Sequence, residues 1–577
     1  MDPRFEADKY LSVWNERLLV DYLDEAAGKV PDRVAIIDFE YRTNRPIELT
    51  FRQLQSRVDQ IAWGLIELGV NRGDVVSVQL PNWWHFVAIH LACLRVGATM
   101  NPLMPILRER ELSFMLGLAA SKVVVVPKTF REYDHEAMMW RIKASLPELR
   151  HVIVVDGSGP DSFERRLLDQ AVPEEASKLF AARRPTADDV VQLLYTSGTT
   201  GEPKGVLHTS RTLLTATLPV IRHLHLHEGE AMLSATPLAH QLGFTLGMII
   251  PIVLTSPIVM QDIWSAAGAL DRIRKYGATF GMGAAPFVVD LIKTATKAGD
   301  ARPLGTFLSA GAPISRLLVK RAREEIDVKV LSAYGMTENL LVSAIRPDDS
   351  RQKAFKTDGA AISGIELRVV DPQGVRLPPN QFGRLQTRGI STFVGYLKRP
   401  ELYSVDNDGW FETGDLARLD EDGYVTITGR WKDVIIRGGE NIPVVEIEDV
   451  LSRHSAVRQN AIVPMPDDRL GERACAFVVA EEGMSLTFLE MQQFLLASGV
   501  ARAYWPERLE LIEALPITAT GKIQKFALRE RVRELLEKDS HPSAKCPESR
   551  SPCWSQETLV TSIIQITDQF PRATDNR

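Results

Sequence analysis

Residues from about 30 to 185 alternate short apolar runs with segments whose apolar residues recur at helical spacing. Val34-Ala35-Ile36-Ile37 and Val75-Val76-Ser77-Val78 predict short strands. Val123 to Val126 and Val152 to Val155 are apolar throughout, as strands buried on both faces are. Arg52 to Leu68 carries the helical period. This alternation predicts an α/β layered domain with a mostly parallel sheet. Residues 190–345 continue the style, with Val190 to Leu194 and Val328 to Leu331 as further strands. From about Ser363 to Gly429, glycines and turn residues multiply and the strands alternate, as in Glu366 to Val370 and Gly423 to Thr428. That texture predicts a small β-rich subdomain. A second α/β segment runs from Gly429 to about Leu535. The Ser/Thr/Pro-rich remainder, from about Ser540 to Arg577, reads as a loose tail. No fixed-period repeat is present.

A chain of 577 residues exceeds one typical core and predicts at least two domains. The net charge of −6 gives no reason to expect nucleic acid as a partner. The four cysteines, Cys93, Cys475, Cys546 and Cys553, are scattered without metal-type pairing. They predict a reducing, cytoplasmic setting without a disulfide framework. The first residues are charged and lack the apolar core of a signal peptide. Leu242 to Met260 carries no charge, but Pro251 and Pro257 interrupt it, which favours a buried helix followed by a buried strand. Peripheral membrane contact stays open for so apolar a stretch.

The chemistry concentrates in Tyr195-Thr196-Ser197-Gly198-Thr199-Thr200-Gly201-Glu202-Pro203-Lys204-Gly205, directly after an apolar strand. Little side-chain bulk, several hydroxyls, exposable N–H groups and one lysine suit a polyphosphate. The run is not a Walker A loop, which needs Gly-Lys-Ser/Thr after a four-residue gap. A plain Ser/Thr/Gly surface loop would explain the composition but not the ordered pattern. With this run the sequence resembles the adenylate-forming superfamily, which includes acyl- and aryl-CoA synthetases, luciferases and peptide-synthetase adenylation domains. The resemblance spans about residues 20–535, with several separate motifs in the family order. It implies a large N-terminal domain (1–429) of layered α/β subdomains plus the small β-rich subdomain. A small mobile C-terminal α+β domain (430–535) would follow; the tail (536–577) lies beyond the family pattern and reads as disordered from its composition.

The resemblance assigns roles residue by residue. Thr196, Ser197, Gly198, Thr199, Thr200, Gly201 and Lys204 would bind the phosphates of ATP. In Tyr334-Gly335-Met336-Thr337-Glu338, Tyr334 would pack on the adenine beside Gly335, and Thr337 would contact the α-phosphate. Glu338, with Thr196, would hold Mg²⁺, an ion that favours carboxylate, phosphate and water oxygens. Asp415, in Thr413-Gly414-Asp415, would accept from both ribose hydroxyls, helped by Arg430. Lys432 matches the hinge position, and Gly438 and Gly439 would face the pantetheine arm of CoA. Lys522, in Thr520-Gly521-Lys522, would be the catalytic lysine bridging the attacking carboxylate and the α-phosphate. Gly311, Ala312 and Pro313 would line the cavity for acyl group and adenine. His240, Phe244, Phe287 and Met336 would line the acyl pocket. Taken alone, each short motif has a bland alternative: a glycine turn, a Thr-Gly-Asp turn, a solvated loop lysine or a core histidine.

No acidic residue lies between Leu233 and Ile250, where adenylation domains for α-amino acids carry an Asp for the amino group. A plain carboxylic acid is therefore favoured. The sequence resembles most the short- and medium-chain acyl-CoA synthetases, including ligases for alicyclic acids such as cyclohexanecarboxylate; aromatic acids remain candidates. The expected function is ATP- and CoA-dependent acid–CoA ligation through acyl-AMP. Loading of a separate carrier protein, a luciferase-like oxidative reaction and an inactive scaffold stand as alternatives. The acid and the oligomeric state are not legible.

Overall fold

A computed structural model describes residues 16–540 except 41–45, 197–202, 301, 312–313, 432–433, 438–439, 443, 468 and 518–522; at 436, 440, 441 and 538–540 only the backbone is described. The chain divides into two compact units, residues 1–529 and 530–577. Of the second unit, the described part is the end of the helix Lys525–Ser540.

The first unit is α/β. A seven-stranded sheet runs, edge to edge, Gly395–Tyr396, Lys204–Thr209, Val190–Thr196, Thr99–Pro102, Val75–Val78, Val123–Pro127, His151–Val155. Its inner strands are parallel, and Lys204–Thr209 pairs antiparallel on both sides. A nine-stranded sheet is parallel from Val34–Phe39 to Lys329–Met336, with antiparallel strands added at both ends. An antiparallel four-stranded sheet, Ile365–Val370, Gly383–Gly389, Phe411–Leu419 and Val425–Arg430, forms the β-rich part. Val457–Asp467 and Gly471–Ala480 form the long pair of a smaller sheet after it, flanked by the helices Val444–Leu451 and Phe488–Ala497.

Runs of β-branched residues explain why strands such as Val75–Val78, Val123–Pro127 and His151–Val155 fall within a residue or two of where the sequence reading put them. Helix Phe51–Glu67 starts where Thr50 and Gln53 exchange side chain-to-backbone hydrogen bonds in a capping box. Its Leu54, Val58, Ile61 and Leu65 are buried at helical spacing. Residues 241–260 form a buried helix with a π-turn at Thr245–Ile249, then the strand Ile258–Met260. Among the described residues no helix is long and apolar enough to cross a membrane. One expected strand is longer than the sequence implied. Val328–Leu331 becomes Lys329–Met336, because beyond Ser332 it turns from its parallel neighbour to pair antiparallel with Leu340–Ala344.

Helix Trp84–Val96 is almost wholly buried and shares one apolar cluster with strand residues of both large sheets, such as Val76 and Ile258. His85 and His90 lie on it. Burial pushes each imidazole down to about 3. A histidine whose folded value lies below its unfolded value stabilises the fold only while neutral. That contribution is present above about pH 6.5 and is lost as pH falls toward 3. His90 packs edge-on against Phe244 with its Nδ1 unpartnered. His90→Phe should therefore gain about 2 kcal/mol on the parent between pH 7 and pH 5, whatever its offset at pH 7. Urea denaturation at the two pH values measures this, and equal differences at both would refute it.

Candidate active site

Strand Val190–Thr196 and strand Lys204–Thr209 form a hairpin, with Thr196 opposite Lys204 and Tyr195 opposite Gly205. Of the run singled out in the sequence, Tyr195, Thr196, Lys204 and Gly205 lie on these paired strands. Ser197, Gly198, Thr199, Thr200 and Gly201 lie outside the described residues. The base of the hairpin is well fixed. Tyr195 donates its hydroxyl to the Met115 carbonyl at 2.8 Å. A Cβ at Gly205 would stand 2.7 Å from Leu193 Cδ1, so a larger residue here would require that side chain to move. Lys204 Nζ lies 5.3 Å from the centre of the Tyr396 ring.

Tyr334, Gly335 and Met336 close the bent strand, and the turn itself falls at Thr337–Asn339. A Cβ at Gly335 would stand 2.2 Å from the Leu340 carbonyl oxygen, which accounts for the glycine. His208, on the hairpin strand, contacts the Thr337 carbonyl through Nε2 at 2.7 Å and Thr212 Oγ1 through Nδ1 at 3.0 Å. A carbonyl can only accept, so Nε2 carries the proton. Burial pushes His208 down to about 4, which keeps this neutral form. The Phe393 N–H donates to the Glu338 carbonyl at 2.8 Å. The Glu338 side chain is buried, and its Oε1 accepts from the Tyr396 hydroxyl at 2.9 Å. Burial pushes the Glu338 carboxyl up, and the Tyr396 hydroxyl, Arg430 and Lys204 offset part of that shift.

Asp415 and Arg430 face each other on neighbouring antiparallel strands. Asp415 is buried, and its Oδ1 lies 3.3 Å from Arg430 Nε. The Tyr334 hydroxyl donates to Asp415 Oδ2 at 2.5 Å. Gly414, at φ 74°, lies within the strand Phe411–Leu419 where its register to Gly383–Gly389 shifts, and Thr413 Oγ1 accepts the Asp415 N–H at 3.1 Å. The structure thus brings Tyr334, Asp415 and Arg430 together from positions up to 96 residues apart. Gly311, at φ 90°, follows the strand Thr306–Ser309, which pairs with the strand of Tyr334. It lies past the carboxyl end of a parallel strand, where α/β sheets commonly bind ligands. Ala312 and Pro313 lie outside the described residues.

On the expected acyl side, His240 caps the helix Gln241–Phe244, its Nδ1 accepting the Leu242 N–H at 3.3 Å. The three apolar candidates sit in separate clusters. Phe244 is fully buried against Phe86 and His90. Phe287 is half-buried, its ring centre 4.5 Å from that of Trp264. Met336 packs beside Val206, Phe393, Tyr396 and Phe411. Asn82, which the sequence reading missed, ties this region together. Its Nδ2 donates to the carbonyls of Thr236 (2.9 Å) and Gln261 (3.2 Å), and its Oδ1 accepts the Leu238 N–H (2.8 Å). Its one visible signal was an amide inside the apolar Leu80-Pro81-Asn82-Trp83-Trp84.

Lys432, Gly438, Gly439 and Lys522 lie outside the described residues. Among the described residues no group of three or more His, Cys, Asp or Glu is placed to hold a metal ion. Any divalent ion here would depend on Glu338 together with hydroxyl and phosphate oxygens. A buried carboxylate that still lacks full charge compensation fits that task.

Residues 23–397 match the model of the AMP-binding enzyme family, and residues 446–522 match that of the AMP-binding enzyme C-terminal domain. A medium-chain fatty-acid–CoA ligase of Escherichia coli (strain K12) is 34% identical over 542 residues, 93% of this chain and 94% of the relative. An anthranilate–CoA ligase solved with anthranoyl-AMP superposes with a TM-score of 0.81 at 25% identity, over 90% of this chain and 98% of that one. ATP-bound MatB from Rhodopseudomonas palustris gives a TM-score of 0.77 at 25% identity, over 89% and 99%. The chain belongs to the AMP-binding enzyme family. Within it, the chain is an enzyme of the adenylate-forming acyl- and aryl-CoA ligases.

Proposed function

We propose that the protein activates a carboxylic acid with Mg·ATP and transfers the acyl group to CoA. The observation that carries this is the meeting of the Thr196–Lys204 hairpin, buried Glu338 and the Tyr334–Asp415–Arg430 trio around one place. These groups match the parts of a nucleotide. Thr196, Lys204 and the residues between them take the phosphates, Thr337 the α-phosphate, Asp415 and Arg430 the ribose, and Tyr334 the adenine. A bound Mg²⁺ would be held by Glu338, with Thr196, and would neutralise phosphate charge.

In the first step a substrate carboxylate oxygen attacks the α-phosphorus and the bond to the β-phosphate breaks. Acyl-AMP and pyrophosphate result. Lys522 meets the negative charge that builds on the α-phosphate. In the second step the CoA sulfur attacks the acyl carbon, the thiol proton leaves and AMP departs. Residues 430–535 swing about Lys432 between the steps, which brings Gly438 and Gly439 to the CoA arm and removes Lys522. The acid is a short- or medium-chain fatty acid, an alicyclic acid or an aromatic acid. The absence of an acidic residue between Leu233 and Ile250 supports a plain carboxylate. His240, held by its cap, and Phe244, Phe287 and Met336 are proposed to shape the acyl side.

The test is a panel of aliphatic, alicyclic and aromatic acids with Mg·ATP, with and without CoA, thioesters being identified by mass. CoA-dependent thioester is the expected product. Acyl-AMP without thioester would favour transfer to a carrier protein, and no turnover with any acid would refute the reading.

A further inference from the structure

Tyr396 belongs to neither the hairpin run nor the Tyr-Gly-x-Thr-Glu run, yet it touches both. It lies in the short strand Gly395–Tyr396, opposite Val206 on the hairpin strand. Its ring is held edge-on to Phe393, with centres 4.8 Å apart. One end of the side chain meets the carboxylate of Glu338 at 2.9 Å, and the Lys204 ammonium approaches the ring at 5.3 Å.

We propose that Tyr396 is a positioning residue for metal-bound nucleotide. Its hydroxyl fixes the Glu338 carboxylate for a divalent ion, and its ring steadies Lys204 for the phosphates. The inference rests on the nucleotide reading given above. Two contacts carry it. A glutamate side chain has several rotamers, and a buried donor on Oε1 selects one and leaves Oε2 to face an ion. The carboxylate can only accept, so the phenol is the donor here. A neutral donor compensates the buried carboxylate without cancelling its charge, whereas a lysine or arginine at that spot would compete with a metal ion. The ring supplies the second contact, a cation–π arrangement with Lys204. A tyrosine that merely fills the Phe393 cluster would need neither contact.

The experiment is calorimetric binding of ATP to the full chain, once with excess Mg²⁺ and once with EDTA, for the parent, Tyr396→Phe and Tyr396→Leu. The parent should bind Mg·ATP more tightly than metal-free ATP. Tyr396→Phe keeps the ring and loses the donor. It should weaken Mg·ATP about tenfold and leave metal-free ATP within about twofold. Tyr396→Leu should also weaken metal-free ATP, because Lys204 loses its ring. Equal losses for both ligand forms in Tyr396→Phe, or no loss in either, would overturn the proposal. A parent that does not distinguish the two forms would instead overturn the underlying assignment of Glu338 to the ion. Thermal melting of each variant separates a folding defect from either outcome.

Discussion

Lys522→Ala should slow acid-dependent pyrophosphate–ATP exchange by about a hundred- to a thousandfold. As the carboxylate attacks, negative charge accumulates on the non-bridging oxygens of the α-phosphate, and a single well-placed donor or cation at such a site is worth about 3–4 kcal/mol. In the proposed mechanism Lys522 serves only this step. Thioester formation from synthetic acyl-AMP and CoA should therefore proceed in the variant at close to the parental rate. Exchange near the parental rate would refute the assignment. A parallel loss of both half-reactions would refute the idea that the lysine leaves before the second.

Asp415→Ala should lower kcat/KM for ATP about a hundredfold or more. Hydrogen bonds to an ionised acceptor contribute about 1.5–3 kcal/mol each, and a ribose offers two hydroxyls. The carboxylate is buried, and it also receives the Tyr334 hydroxyl and faces Arg430, so its loss loosens both side chains proposed to hold the nucleotide. Asp415→Asn separates recognition from packing. It keeps the shape but lacks the full acceptor set, so it should lose most of the preference for ATP over 2′-deoxy-ATP. Unchanged discrimination in the asparagine variant would mean that Asp415 does not read the ribose.

Strands such as Val75–Val78 and Val123–Pro127 were legible because a buried parallel strand spells itself as consecutive β-branched residues. The strand Lys204–Thr209 was harder. It begins inside Pro-Lys-Gly, which reads as loop, and it owes its form to pairing with strands on both sides. The extension of Lys329–Met336 was hidden for the same reason, since partner Leu340–Ala344 lies beyond the intervening turn. For the candidate site, motifs pointed to Tyr334, Glu338, Asp415 and Arg430, and the fold brings the first of these to the third. His208, Tyr396 and Asn82 escaped notice. Each acts through a group distant in sequence, the Thr337 carbonyl, the Glu338 carboxylate and the Thr236 to Leu238 backbone. No local period or motif encodes such contacts. The acyl side was least legible, because apolar residues look alike in sequence whether they line a pocket or fill a core.

The most direct test of the central claim is an isotope measurement. Turnover of an acid labelled with ¹⁸O in its carboxylate should deliver one labelled oxygen to AMP for each thioester formed, because the attacking oxygen stays on phosphorus when the acyl group leaves. Unlabelled AMP, or label recovered in inorganic phosphate with ADP as the nucleotide product, would contradict attack of the acid on the α-phosphate.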